Sequence, residues 1–167
     1  MSELYSEVLV KKNPSPADNL KKIGMIAGVV ILAIGGLFVT PVLFIAAIAL
    51  GVAAYFLLPK LQVEYEYLIL NKELDVDVIY SQKKRKSAGK FDLNSMDLMA
   101  PLNSVRMDYY NGDVRMKICD YTSGAPGIVP YAMIIKKDQA NAKVLLELDK
   151  ETVENIRKSY PNKVFLD

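Results

Sequence analysis

Histidine and tryptophan are absent from this sequence, and Cys119 is its only cysteine. The absence of histidine excludes Ser-His and Cys-His catalysis and every metal site that uses an imidazole ligand. A single cysteine excludes an intramolecular disulfide, which weakly favours a reducing compartment. The composition therefore favours a non-enzymatic protein, and we expect no metal and no cofactor.

Charge is missing from one long stretch of the chain. Between Ile23 and Leu58 there are no charged residues and no Asn or Gln, and only Thr40 and Tyr55 contribute polar side-chain groups. This stretch exceeds the roughly 20 apolar residues that cross a bilayer once. A cleaved signal peptide is the main alternative, but its apolar core has only about 7–15 residues. We therefore expect the stretch to stay in the membrane.

The apolar stretch is too long for one crossing and contains its own turn. A single helix over residues 16–58 would be about 64 Å long, twice the thickness of the hydrocarbon core. Gly35-Gly36 weakens helix in the middle, and Pro41 disfavours helix at Thr40. The sequence predicts helices over residues 16–38 and 41–58, with Ser15 as the first N-cap.

The two predicted helices can approach each other through small residues. Gly24 and Gly28 form a GxxxG pair, and alanines are frequent in the second helix. Small residues allow close contact between membrane helices. Chance spacing in a segment rich in Gly and Ala is the competing interpretation.

Lysines lie at the outer ends of this apolar hairpin, whereas its turn is uncharged. Since positive residues favour the cytoplasmic side, we expect a multi-pass cell-membrane protein with both termini in the cytoplasm. Residues 61–167 carry 16 basic and 16 acidic side chains, which argues against nucleic-acid binding. The lysines concerned are Lys11, Lys12, Lys21, Lys22 and Lys60.

Beyond Lys60 the pattern changes to the two-residue alternation of half-buried strands. Residues 62–70 place Val63, Tyr65, Tyr67 and Ile69 on one face. Asp149 can cap a helix over residues 150–159. Further strands are predicted within 74–80, 90–93, 95–100, 114–121, 131–136 and 142–148, with a turn at Asn71-Lys72, a turn signal at Asn111-Gly112 and a hairpin loop at 137–141.

The predicted organisation is an N-terminal arm (1–15), a transmembrane hairpin (16–60) and a cytoplasmic β domain (61–167). The arm, from Leu4 to Val10, is either an added edge strand or an interfacial helix, and we favour the strand. Seven strands and a terminal helix resemble a pleckstrin-homology (PH)-like antiparallel barrel. A five-stranded OB barrel is the main rival, although its helix lies between strands.

The chain also resembles an uncharacterised family of small two-helix membrane proteins from Clostridia-type Gram-positive bacteria. The resemblance implies no activity. It rests on the Tyr5–Lys12 start, the apolar hairpin, Val63-Glu64-Tyr65-Glu66-Tyr67, the Lys83–Lys86 run with Phe91-Asp92-Leu93, and Lys163-Val164-Phe165.

The basic run Lys83-Lys84-Arg85-Lys86, with Lys90 nearby, is the leading candidate site. One strand leads away from the membrane at Lys60 and the next returns, so the run should lie near the bilayer as a loop. There each cation gains about 1 kcal/mol from anionic lipid. The competing interpretation is a solvated loop without a ligand.

Other chemically capable residues have stronger structural interpretations. Asp75 and Asp77 share a strand face and are interpreted as solvated charges that oppose edge aggregation. Cys119 is expected to pack in a buried or half-buried position. Ser123-Gly124-Ala125-Pro126-Gly127 lacks the lysine of a phosphate loop and is interpreted as a surface turn.

These patterns leave three hypotheses for the function. The first is a membrane-tethered interaction module that binds membrane lipids or a protein partner. The second is a structural or assembly subunit of a larger complex, in which the hairpin forms a homo-oligomer or docks onto another membrane protein. The third, an enzyme at the membrane surface, would depend on Asp75, Asp77 or Cys119.

Overall fold

The computed structural model describes residues 5–113, 115–136 and 141–167. Two apolar helices interrupt a β region of eight strands, which ends in an amphipathic helix. The elements are β1 (Tyr5–Lys11), α1 (Pro16–Phe38), α2 (Val42–Leu57), β2 (Val63–Leu70), β3 (Glu73–Tyr80), β4 (Lys84–Asp92), β5 (Met96–Pro101), α3 (Asp108–Asn111), β6 (Lys117–Asp120), β7 (Tyr131–Ile135), β8 (Ala142–Leu146) and α4 (Lys150–Ser159).

The first helix begins and ends where the sequence predicts. Ser15 caps α1 through a capping box with Asp18, so two amide groups at the helix start are satisfied. The second helix is slightly shorter than predicted, and Pro41 is its N-cap rather than its first helical residue. A short 3₁₀ helix, Leu58–Leu61, follows α2 because Pro59 cannot continue the regular hydrogen bonding.

Both apolar helices are long enough to cross a membrane. Pro16–Phe38 has a mean hydropathy of 1.9, and Val42–Leu61 reaches 2.4. Only 6% of the apolar stretch in the first helix and 11% of that in the second are buried within the chain. A core helix of a soluble protein would be mostly buried, so these exposed apolar surfaces indicate membrane association.

The first sheet has the strand order β1-β2-β3-β4. β1 is antiparallel to β2 and places Lys11 opposite Glu64, which confirms the strand prediction for the described part of the arm. Leu4 lies outside the described residues. Tyr65, Tyr67 and Ile69 are buried, as the alternation predicts.

The second sheet has the order β5-β7-β8-β6 and contains one parallel pair, β6 with β8. The prediction of a PH-like antiparallel barrel of about seven strands is confirmed in part: the β region is PH-like and ends in a helix, but the eight described strands form two four-stranded sheets rather than a closed barrel. The chain does turn at Gly112 before β6, but Asn111 ends α3 and Gly112 has a negative φ, so the turn is not the type I′ turn that Asn-Gly usually forms. Val114 and residues 137–140 of the predicted hairpin loop lie outside the described residues.

The first sheet is connected to the second through Tyr67, and α4 contributes a buried apolar face. Tyr67 is fully buried in β2, and its hydroxyl donates to the carbonyl oxygen of Tyr121, which follows β6. Val153 and Ile156 bury the apolar face of α4. The terminal position of α4 agrees with a PH-like arrangement rather than the OB alternative.

Candidate membrane-facing basic surface

The basic run begins in a tight turn and continues along an edge strand. Ser81 and Gln82 have φ angles of 55° and 57°, and the Lys83 amide donates to the Tyr80 carbonyl at 3.1 Å. Two consecutive positive φ angles define the type I′ turn that suits the twist of a hairpin. The predicted loop over residues 83–86 was therefore wrong, because β4 begins at Lys84.

Ser81 attaches this turn to the chain that leaves α2. Its amide donates to the Gln62 carbonyl at 2.9 Å, and its hydroxyl donates to the Pro59 carbonyl. Pro59 belongs to the 3₁₀ helix that directly follows α2. The start of the basic run is therefore held beside the C-terminal end of the second apolar helix.

Charge pairing divides the five candidate residues into two groups. Arg85 forms ion pairs with Glu66 and Asp77, and the Lys90 ammonium lies 3.0 Å from Asp75. The Asp75 carboxylate raises the pKa of Lys90 by stabilising its charged form. These two cations are already neutralised by acidic side chains of neighbouring strands.

The remaining candidates, Lys83, Lys84 and Lys86, are exposed. Within the described part of the chain, their ammonium groups make no hydrogen bond or ion pair. They can therefore pair with an external anion without breaking an internal contact. We call these three residues the lysine triplet.

The same end of the first sheet carries two more lysines. Antiparallel order brings the end of β1 and the start of β2 together with the end of β3 and the start of β4. Lys11 ends β1, and the Lys12 ammonium lies 6.0 Å from the centre of the Tyr65 ring. Positive charge thus collects at the sheet end from which the chain passes into α1.

A hollow of about 270 Å³ opens at the outer end of the helical hairpin. Asp18, Asn19 and Lys22 of α1 line one side, and Leu58, Pro59, Leu61 and Gln62 line the other. The polar side chains in this lining agree with a position at the end of the apolar stretch. Within the hairpin unit, it lies next to the segment that anchors Ser81.

Only one glycine of the predicted GxxxG pair lies close to the second helix. A Cβ added at Gly28 would lie 3.0 Å from Leu50 Cδ2, whereas one at Gly24 would have no neighbour within 4 Å. Gly36 makes a closer approach, since an added Cβ would lie 2.8 Å from the Phe44 ring. The glycine at position 36, which we interpreted only as a helix weakener, therefore lies in the helix seam.

The other chemically capable residues do not form a reactive cluster. Asp75 and Asp77 are engaged by Lys90 and Arg85, and Cys119 is half-buried on β6. The described residues bring together no group of three His, Cys, Asp or Glu side chains. Among the described candidate residues, the exposed lysines are the groups that are free to bind an anion.

Sequence reasoning missed Ser81, the residue that fixes the position of the site. Type I′ turns usually use Asn, Asp or Gly, and Ser81-Gln82 gives no such signal. Its hydrogen-bond acceptors are backbone carbonyls about 20 residues earlier, and these leave no signature in side-chain pattern. Only the strand alternation before Tyr80 indicated that the basic run returns toward the helices.

Comparison with known proteins gives one family match. The family described as "Bacterial PH-like domain (DUF6106)" matches residues 2–166, nearly the whole chain. No curated protein and no solved structure matches the chain. The family match confirms both the PH-like resemblance and the resemblance to an uncharacterised bacterial family with two apolar helices.

Proposed function

We propose, since the chain belongs to the bacterial PH-like domain family, that it is a non-enzymatic, membrane-anchored module that binds anionic lipid headgroups at the inner leaflet. PH-like domains bind lipids or proteins and are generally non-enzymatic. The observation that carries the proposal is the attachment of Ser81 to Pro59 and Gln62. This attachment supports a position of Lys83 and Lys84, the first two lysines of the triplet, near the end of α2.

The anchor in this proposal is the hairpin over residues 16–60, and the binding domain is residues 61–167 together with β1. Exposed apolar surface on α1 and α2 supports placement in lipid. Pairing of β1 with β2 supports an even number of crossings, because the chain before α1 and after α2 must lie on one side. Flanking lysines favour the cytoplasm as that side.

The lysine triplet supports lipid as the partner through its charge and its freedom from internal pairing. A lysine close to an anionic leaflet gains about 1 kcal/mol, and the attraction decays within a Debye length of about 8 Å at physiological salt. The attachment of Ser81 beside the end of α2 supports a position of Lys83 and Lys84 within this range. Arg85 and Lys90 contribute less to lipid binding, because each already forms an ion pair, with Glu66 and Asp75 respectively.

Energy transfer in reconstituted vesicles tests the proposal on the full chain. A donor dye is attached at Ser87→Cys in a Cys119→Ser background, with acceptor dyes on lipid headgroups. We expect more transfer in vesicles with anionic lipid than in neutral vesicles, and a loss of this difference near 1 M salt, where the Debye length is about 3 Å. Equal transfer in both vesicle types at low salt contradicts headgroup binding.

The same samples test the anchor independently. The full chain should float with vesicles after a high-salt, alkaline wash, because apolar helices resist extraction. Recovery in the aqueous supernatant contradicts the anchor. Cysteine-reactive reagents applied to engineered cysteines near both termini should report the same side of the membrane.

A structural or assembly subunit remains the second candidate, favoured by small residues left open on the hairpin. An added Cβ at Gly24 or Gly51 would meet no atom within 4 Å. Such positions permit close approach of a helix from another chain. Crosslinking in native membranes that captures one partner at fixed stoichiometry supports this candidate, whereas a monomer with bound lipid supports the first.

A further inference from the structure

The hollow at the outer end of the helical hairpin is lined by side chains of both charge signs. Asp18 and Lys22 line it from α1, and Gln62 lines it from the chain that leaves α2. Because residues four apart lie on the same face of a helix, both charges border one space. One acidic and one basic group leave the hollow without net charge, so it complements a zwitterionic ligand.

Hydrogen bonds hold both walls of the hollow in place. The Ser15 amide and hydroxyl donate to Asp18 Oδ2 at 3.2 and 2.9 Å, as part of the cap of α1. On the other wall, Ser81 donates through its amide to the Gln62 carbonyl and through its hydroxyl to the Pro59 carbonyl. All residues that line the hollow belong, with Ser81, to one compact unit of residues 13–63 and 80–84.

The polar groups in the lining have capacity for a ligand. Within the described part of the chain, the side chains of Asn19, Lys22 and Gln62 make no hydrogen bond or ion pair. They offer one ammonium and two amide groups, which are hydrogen-bond donors suited to a phosphate. A carboxylate has about four acceptor sites, so Asp18 can accept a bond from a ligand ammonium while it keeps its cap contacts.

The hollow also has an apolar part beside these polar groups. Leu58 and Leu61 are half-buried and line the same wall as Gln62. The charge-free stretch of the chain begins directly after Lys22 and ends at Leu58. In the proposed anchor, the hollow therefore lies where the hydrocarbon core meets the headgroups, the depth at which a phospholipid changes from apolar to charged.

The size of the hollow limits the headgroup. Its volume of about 270 Å³ lies just below the range of about 300–1,000 Å³ for pockets that hold drug-sized molecules. A small headgroup with a phosphate and a nearby amine matches this space and its two charges.

We propose that the hollow binds one phospholipid with a phosphoethanolamine headgroup. Asn19, Lys22 and Gln62 contact the phosphate, and Asp18 accepts a hydrogen bond from the primary ammonium. The apolar part of the wall contacts the glycerol and the adjoining acyl carbons. This inference rests on the proposed membrane anchor, and its site is separate from the lysine triplet, which attracts anionic lipid through charge.

A lipid titration of the full chain in detergent tests this inference. The added phospholipids have identical acyl chains and carry an ethanolamine, a choline or a glycerol headgroup. Native mass spectrometry counts the bound lipids and gives a dissociation constant for each. Choline is the matched ligand control, because its quaternary ammonium has no N–H to donate. We expect one ethanolamine lipid to bind about tenfold more tightly than the choline lipid.

Substitutions assign the two ends of the headgroup to their partners. Lys22→Gln should weaken binding of both ethanolamine and choline lipids by about tenfold, because both carry the phosphate. Asp18→Asn keeps an oxygen for the helix cap and should abolish the preference for ethanolamine over choline. Lys21→Gln is the matched control, because Lys21 carries the same charge but does not line the hollow. Far-ultraviolet circular dichroism checks the helices of each variant.

The outcomes separate failure of this site from failure of the proposed function. Equal affinity for ethanolamine and choline lipids, or equal losses in Lys22→Gln and Lys21→Gln, overturns the headgroup site. Soluble phosphoethanolamine that binds as tightly as the lipid overturns the membrane source of the ligand. Binding of the ethanolamine lipid without binding of the anionic glycerol lipid supports the hollow and contradicts the proposed role of the lysine triplet.

Discussion

Removal of the lysine triplet should weaken the affinity of the β domain for anionic membranes by about two orders of magnitude. The perturbation is Lys83→Gln, Lys84→Gln and Lys86→Gln in one protein. Each lysine is exposed and free of internal partners, so its charge is available to lipid. Three contributions of about 1 kcal/mol give about 3 kcal/mol, or a roughly 150-fold change in the dissociation constant.

The assay needs a domain without its permanent anchor, and the sheet topology supplies one. β1 and β2 are antiparallel neighbours, with Lys11 opposite Glu64. A short Gly/Ser linker can therefore replace residues 13–58 and join the two strands while keeping Pro59 and Gln62, the hydrogen-bond acceptors of Ser81. A fragment that begins at residue 61 is unsuitable, because it removes β1 and uncovers the edge of β2.

Vesicle co-sedimentation with increasing anionic lipid then gives the dissociation constants. The matched control removes the same charge elsewhere, through Lys117→Gln, Lys150→Gln and Arg157→Gln, and should change affinity only about two- to threefold. A loss below about fivefold for the triplet, with the fold intact, refutes the reasoning. Equal losses in both variants would attribute binding to net charge alone.

Three further outcomes follow from the packing. Gly36→Val should destabilise the helical hairpin by about 1–3 kcal/mol in detergent unfolding, because of overpacking, whereas Gly24→Val should be nearly neutral. Tyr67→Phe should cost the anchor-less domain about 1–3 kcal/mol in urea unfolding, because the hydrogen bond from the fully buried Tyr67 side chain to the Tyr121 carbonyl is lost. Hydrogen bonds from Lys136 and Tyr110 lower the pKa of Asp97, so its stabilising contribution is present at neutral pH and decreases as pH falls below about 4; Asp97→Asn should reduce this acid sensitivity. Unchanged stability in Gly36→Val or Tyr67→Phe, or an unchanged acid profile in Asp97→Asn, would contradict the respective argument.

Much of the local structure could be predicted because short-range sequence patterns determine it. Ser15 with Asp18 marks the start of α1, and strict alternation from Val63 to Ile69 marks β2 and its buried face. These signals depend on residues within one turn or one strand. They identify each element without knowledge of its neighbours.

The arrangement of the sheets could not be predicted in the same way. β6 pairs in parallel with β8 although β7 lies between them in the chain, and the Asn111-Gly112 signal before β6 gave no indication of this pairing. The sequence identified the basic run as a candidate site, but it did not show which of its cations form ion pairs with acidic side chains. Only the three-dimensional contacts separate Arg85 and Lys90, which are paired, from the lysine triplet.

Interruption of a β-hairpin by two apolar helices has a consequence for biosynthesis. β1 emerges from the ribosome first, but its partner β2 begins 52 residues after Lys11. At about 5–20 residues per second, β1 waits roughly 3–10 seconds for that partner. In the proposed membrane anchor the helices enter the bilayer during this delay, so completion of the sheet would serve as a checkpoint that only a correctly threaded chain passes.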